Sequence, residues 1–415
     1  MATLAGAGNP AREPATVAPA PVVDPEEDRP EEVRRSNVVN GDDSVMVFRA
    51  LPLLALTAAC QAPANVSSMP ESWPQFRGGP AHPGALATAR PIRTPRLRWK
   101  FDTGGSVESS PTVADGVVFV GTFADRLLAL DADQGTLRWD YPVDGLLRAS
   151  PSIVDALVYF GADDDLFRAL DGQSGAERWS FKLGPGGEQS SPAIVDGTVF
   201  FGGFDHQVYA LDVGTGEPRW QASTGGEILS SPAVAEGLVA IGSRDGAVHA
   251  FDSATGRRQW THTTGAAVWS SPAIVDGVVF VGSDDRHVYA LDAKTGEPRW
   301  SYATAGPVFS SPAVAGDVVY VGSGDGFVYA LTAGAGELLW RANLQDRVLA
   351  SPCLVDDVLY SGSSAGAVFA IDRRSGAINW RFEVGATVWS SVTAVGDRIY
   401  FGAHDGAVYC VEESP

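Results

Sequence analysis

The side chains able to recognise or react in this sequence stand at a regular interval. Glu108, Arg148, Gln189, Leu229, Trp269, Phe309, Leu349 and Trp389 follow one another at steps of 40 or 41 residues. A second series, Phe123, Asp163, Phe204, Arg244, Asp284, Gly324, Ser364 and His404, keeps the same step. The residues flanking both series are nearly constant, whereas these two positions vary from copy to copy. Constant positions answer a need common to every copy, and variable ones are free for recognition. The chemistry on offer is docking rather than turnover. Aromatic and Arg side chains anchor protein interfaces, and Trp faces can equally hold a flat ligand. Trp269, Phe309 and Trp389 are the expected anchors, with Arg148 and Arg244 reading charge. Proton transfer needs a positioned base beside a bound reactant, and no convergent set of acids and bases stands out. His82, His206, His249, His262, His287 and His404 occupy non-equivalent places, so no His metal cluster is expected. No C-x-x-C or zinc spacing exists. Cys353 and Cys410 replace the Ala of sister copies and are expected in the core.

These positions must be held by a repeated element. Trp recurs at 99, 139, 179, 220, 260, 300, 340 and 380, and Gly at 121, 161, 202, 242, 282, 322, 362 and 402. A period near 40 denotes a propeller or a solenoid. One unit, 268–302, reads "VWSSPAIVDGVVFVGSDDRHVYALDAKTGEPRWSY". It contains four short apolar or alternating runs separated by Asp-Gly and Thr-Gly turns, the pattern of an antiparallel propeller blade. The "SP…VGS…YALD" module occurs eight times. The Trp strand also occurs eight times but out of phase, its first copy being 97–101. That copy is expected to complete the last blade beside 404–411, which removes the exposed edge. The predicted fold is all-β, an eight-bladed β-propeller of four-stranded antiparallel blades over 97–415, closed by an N-terminal strand. Strands one and two are antiparallel, so both variable series fall on one face and the uniform turns on the other. The mouth should be polar at Glu108, Arg148 and Gln189 and apolar from Leu229 to Trp389.

The chain has a formal net charge of −20 without a basic stripe, which argues against a nucleic-acid partner. Residues 1–45 are Pro-rich and acidic, read as a disordered leader and a gene-start artefact, with Met46 as the real start. Residues 46–60 read "MVFRALPLLALTAAC". This run is too short to span a bilayer and suits a signal peptide. Its ending resembles the bacterial lipobox, with Thr57 in place of the usual Leu. The resemblance implies lipidation of Cys60, loss of 1–59, and residence on the periplasmic face of the outer membrane. The alternative is a cytosolic protein with an acidic tail and a chance apolar run. Residues 60–96 are read as linker and lead-in.

The pattern A-x-D-x-x-[ST]-G-x-x-x-W is intact from Ala169 to Trp179, Ala210 to Trp220, Ala250 to Trp260, Ala290 to Trp300 and Ala370 to Trp380. It departs at Gln134 and further at Thr332 and Ala335. It resembles the tryptophan-docking motif of the quinoprotein-type repeat family, whose members include pyrroloquinoline-quinone (PQQ) dehydrogenases and non-catalytic propellers such as the outer-membrane assembly lipoprotein BamB. The segment Trp73–Pro80, "WPQFRGGP", is similar to one that precedes such propellers. The dehydrogenases resemble one another in long insertions, an acidic Ca²⁺ site and often a vicinal Cys pair. Here the steps stay at 40 or 41 residues and no Cys-Cys occurs. The expected function is therefore a non-catalytic, BamB-like envelope scaffold that binds protein partners without a cofactor. The alternative is a PQQ- or other small-ligand-binding propeller related to the dehydrogenases.

Overall fold

The second strand of each repeat is almost wholly apolar because neighbouring blades cover both its faces. Val278–Gly282 is buried along its length, while the outermost strand of the same blade, Pro298–Ala303, alternates between exposed and partly buried residues. In the computed structural model, which describes residues 72, 74–86, 89–187 and 190–415, this pattern recurs in eight blades around one axis. Blades 1 to 7 occupy 112–142, 152–182, 193–223, 233–263, 273–303, 313–343 and 353–383. Blade 8 joins 393–413 to 95–102. Blade 7 carries one addition to the expected four strands: Ala85–Leu86 pairs parallel with its innermost strand, Cys353–Val355. Among the described residues no helix is long and apolar enough to cross a membrane.

The closing strand is where the repeat phase places it. Pro95–Asp102 runs antiparallel to Ala407–Glu413, with Trp99 opposite Cys410 and Phe101 opposite Val408. Cys353 and Cys410 are free and buried, and burial pushes both thiols up to about 12.

The docking motif works as a latch between consecutive blades. The Trp260 indole N–H donates to the Ala293 carbonyl of the next blade at 2.9 Å. Gly296, in the left-handed region at φ +73°, lies flat against the Trp260 ring; a Cβ there would meet the indole at 2.6 Å. The same indole-to-carbonyl bond joins Trp99 to Ala132, Trp139 to Gly172, Trp179 to Val213, Trp220 to Ser253, Trp300 to Ala333 and Trp340 to Arg373. Blade 8 lacks this turn because its outer strand comes from the other end of the chain. Trp380 donates instead to the Ile92 carbonyl at 2.8 Å, so the lead-in supplies what the blade cannot.

Six of these turns are stiffened by an Asp, and blade 6 has Thr332 in its place. One oxygen of Asp292 accepts the Lys294 and Thr295 N–H groups, and the other takes Arg299 at 2.8 Å. Arg219 and Arg299, followed by the turn N–H groups, pull Asp212 and Asp292 down to about 2. Asp131 and Asp171 are lowered likewise by Arg138 and Arg178, whereas Asp252 and Asp372 are lowered chiefly by the Thr255 and Ser375 hydroxyls. A carboxylate whose folded pKa lies below its unfolded value near ~3.9 stabilises the fold above that value. The contribution is lost as pH falls through the folded pKa. Stability measured by denaturant titration should therefore drop as pH falls from about 4 to about 2, modestly because these turns face solvent. A flat profile across that window would show that the turns do not couple to folding.

Candidate functional site: a blind cup on the axis

The innermost strands line the axis, and their second Ser supplies a continuous collar. The backbone N–H of Ser110 donates to Ser150 Oγ, Ser150 to Ser191, Ser191 to Ser231, and Ser231 to Ser271. The chain continues from Ser271 to Ser311, Ser351 and Ser391, and Ser391 returns to Ser110. All eight links measure 2.9–3.2 Å. The collar lines a cavity of about 520 Å³ together with Phe76, Glu108, Arg148, Leu229, Trp269, Phe309, Arg347, Leu349 and Trp389.

Seven members of the first variable series thus converge on one mouth, with the polar and apolar sides where the repeat order puts them. Gln189 lies outside the described residues, as does Cys60. The second series does not line the cavity. Its backbone pairs with the loop that leads into each mouth residue: Arg244 N–H donates to the Glu227 carbonyl, Asp284 to Ala267 and His404 to Thr387. Phe204 likewise bonds the Gly187 carbonyl. These side chains brace the mouth from behind. Asp284 accepts the Trp269 indole N–H at 3.0 Å, and burial raises its carboxyl pKa. His404 packs edge-on against Trp389 at 4.5 Å and approaches Glu108 at 3.5 Å.

Arg148 and Arg244, the expected charge readers, each already have an acidic partner. Arg148 pairs with Glu108 at 3.3 Å and lies over the Phe123 ring. Arg244 pairs with Glu227 and lies over Trp269. Each guanidinium thus holds one carboxylate and one ring while staying part-exposed. Glu227 sits outside the aligned series, which is why repeat alignment does not expose its pairing. The mouth cation without an ion pair among the described residues is Arg347, two residues before Leu349.

Repeat alignment also misses the floor, because the lead-in belongs to no repeat. The carbonyls of Pro74, Pro80, Ala81, Pro83 and Gly84 accept the N–H groups of Ile153, Val234, Ile274, Val314 and Leu354. Gln75 accepts the Ile194 N–H and donates to its carbonyl. Six blades are bonded across the axis by one short segment. It also caps the proline carbonyls above it. Arg77 donates to Pro312 at 2.8 Å and to Pro352, and His82 to Pro272 at 3.1 Å. Elsewhere in the ring Thr112, Ser152 and Thr393 do this work, bonding Pro151, Pro192 and Pro111. Blades 4 to 6 carry Ala233, Ala273 and Ala313 at that position, so Pro272, Pro312 and Pro352 of the following blades rely on the lead-in. Burial lowers the pKa of Arg77 to about 10 and of His82 to about 3, so the arginine is charged and the imidazole neutral near neutral pH. Phe76 projects from this floor into the cavity.

Two family models match the chain. That for the outer membrane protein assembly factor BamB covers 87–224. That for the β-propeller of the beta-alanine-activating enzyme covers 199–415, just over half of the chain. The chain belongs to that propeller family. Its repeats are of the PQQ-like kind, as the docking motif implies. The chain matches no curated protein by sequence. Among solved structures, BamB from Moraxella catarrhalis is 20% identical, with 77% of this chain and 100% of that one covered and a TM-score of 0.66. A europium-containing methanol dehydrogenase is 13% identical, with 83% and 98% covered and a TM-score of 0.71. The quinohemoprotein alcohol dehydrogenase from Comamonas testosteroni is 15% identical, with 83% and 81% covered and a TM-score of 0.70. Identities this low show the shared propeller fold.

The PQQ-like fold raises the question of whether these residues suit PQQ with Ca²⁺. They do not. A hard cation takes six or more oxygen ligands, and no group of three His, Cys, Asp or Glu among the described residues is placed to hold a metal. Among the described residues the only acid lining the cup is Glu108, held by Arg148. The quinone's carboxylates would find one of the two cup arginines already paired.

Proposed function

We propose that this propeller is a non-catalytic cell-envelope scaffold whose mouth docks a segment of another envelope protein. The observation that carries the reading is the divided mouth. Trp269 and Phe309 meet edge to face at 5.9 Å, and Leu229, Leu349 and Trp389 extend the apolar wall around the same opening. Half-buried aromatic side chains braced by polar neighbours are the usual anchors of a protein interface. The match to the assembly-factor model supports a scaffold, and outer-membrane assembly machinery is the partner class it suggests. Lipidation at Cys60, release of 1–59 and attachment to the periplasmic face of the outer membrane belong to this reading. A PQQ-dependent dehydrogenase is the second reading, favoured by the fold shared with the methanol dehydrogenase and opposed by the cup's donor set.

One experiment tests scaffold and anchor together. A photoreactive residue at position 309 should crosslink an envelope protein in intact cells, whereas one at 294, on the opposite face, should not. Mass spectrometry of the recovered protein should find the lipid on Cys60. Products from 294 alone would overturn the docking face, and an unmodified peptide spanning Cys60 would overturn the anchor.

A further inference from the structure

The serine collar has a chemical consequence that its structural role does not exhaust. Each of the eight Oγ atoms already accepts the N–H of the preceding blade. A hydroxyl carries one proton to donate, and none of these eight donates to an acceptor among the described residues. The collar serines are all more than nine-tenths buried in the cavity wall. Eight hydroxyl donors therefore surround the axis, each with one of its two lone pairs already engaged by a backbone N–H, an arrangement that suits an anion.

Charge in the cup points the same way. The chain as a whole carries −20. Among the described residues, the charged ones lining the cup are Arg148, Arg347 and a single acid, Glu108. Arg148 neutralises Glu108, which leaves Arg347 as the excess charge. Above the collar stands the apolar wall of Trp269, Phe309, Leu349 and Trp389, and below it the Phe76 ring closes the floor. A ligand matched to this cup is anionic at its tip and apolar behind it.

We infer that the cup takes a carboxylate-tipped apolar group, entering carboxylate first, as at the C-terminus of a polypeptide that ends in an apolar residue. The collar hydroxyls donate to the carboxylate, Arg347 supplies the charge at the rim, and the terminal side chain packs on Trp269, Phe309 and Trp389. This deepens the docking reading and rests on it. A free aliphatic or aromatic acid has the same chemistry, so the test must separate the two sources.

The test is calorimetric titration of the full chain with Ala-Ala-Phe, with its C-terminal amide, and with 3-phenylpropanoate. The free tripeptide should bind with a Kd of about 1 mM or tighter. The amide should bind at least about tenfold more weakly, because it lacks the charge-assisted hydrogen bonds. Tighter binding of the tripeptide than of 3-phenylpropanoate identifies a chain end, and the reverse a free acid. Arg347→Gln, an exposed position, should weaken the acids and leave the amide unchanged. Ser311→Ala should do the same while retaining the native circular dichroism spectrum. Equal binding of acid and amide, or no binding of either, overturns the inference. If a partner still docks through Trp269 and Trp389 in that case, the docking reading survives and only the carboxylate is lost.

Discussion

Removal of residues 1–101 is expected to cost the propeller at least about 5 kcal/mol, since loss of one buried Trp alone costs roughly 3–5 kcal/mol. Trp99 is buried between the last and first blades, and its strand covers the edge of Ala407–Glu413 along seven register pairs. The same deletion takes away the lead-in. Six inner-strand N–H groups and the carbonyls of Pro272, Pro312 and Pro352 then lose their partners. Buried backbone groups left unpaired cost free energy comparable to a lost hydrogen bond each. In a protein of this size the combined loss should lower Tm by about 10 °C or more. Removal of 1–71 alone spares every one of these bonds and should leave Tm unchanged. Equal melting of the two truncations and the full chain would show that neither closure nor floor contributes.

The double substitution Trp269→Ala with Trp389→Ala should weaken partner binding by about 4 kcal/mol, roughly a thousandfold, if each anchor is worth about 2 kcal/mol. The two belong to blades 5 and 8 and share no bonding partner, since Trp269 bonds Asp284 and Trp389 bonds Ser364. Near-additive effects are therefore expected. Neither is a latch Trp, so the blade-to-blade bonds survive and circular dichroism should be unchanged. Undiminished affinity in a well-folded double variant would leave the mouth without a recognition role and make its variability neutral.

The blades and their count were legible because every blade solves one packing problem with one set of residues. Trp260 recurs in kind at each step, Gly296 and Asp292 at nearly every one, and the out-of-phase Trp99 announces the closure. The mouth ring was legible for the converse reason, since Trp269 and Glu108 break a constant background. The floor was not. Gln75, Arg77 and His82 act on backbone atoms of separate blades, and backbone partners leave no trace in side-chain identity. The collar stayed hidden as well. A serine present in every copy reads as part of the fold, and only the bond from Ser391 to Ser110 shows that the eight form a closed chain. The pairing of Arg244 escaped because Glu227 varies outside the aligned positions.

That collar also explains how the ring tolerates unequal repeats. The step from Ser150 to Ser191 spans 41 residues where its neighbours span 40, yet its bond is 3.0 Å, within the range of the others. The extra residue falls in the loop between the outer strand ending at Lys182 and the next inner strand, on the mouth side. The collar therefore acts as a gauge of blade spacing that is blind to loop length. Insertions between blades can raise the rim of the cup, one loop at a time, without altering the circumference beneath it. In evolutionary terms the mouth can change height and shape while the ring stays in register.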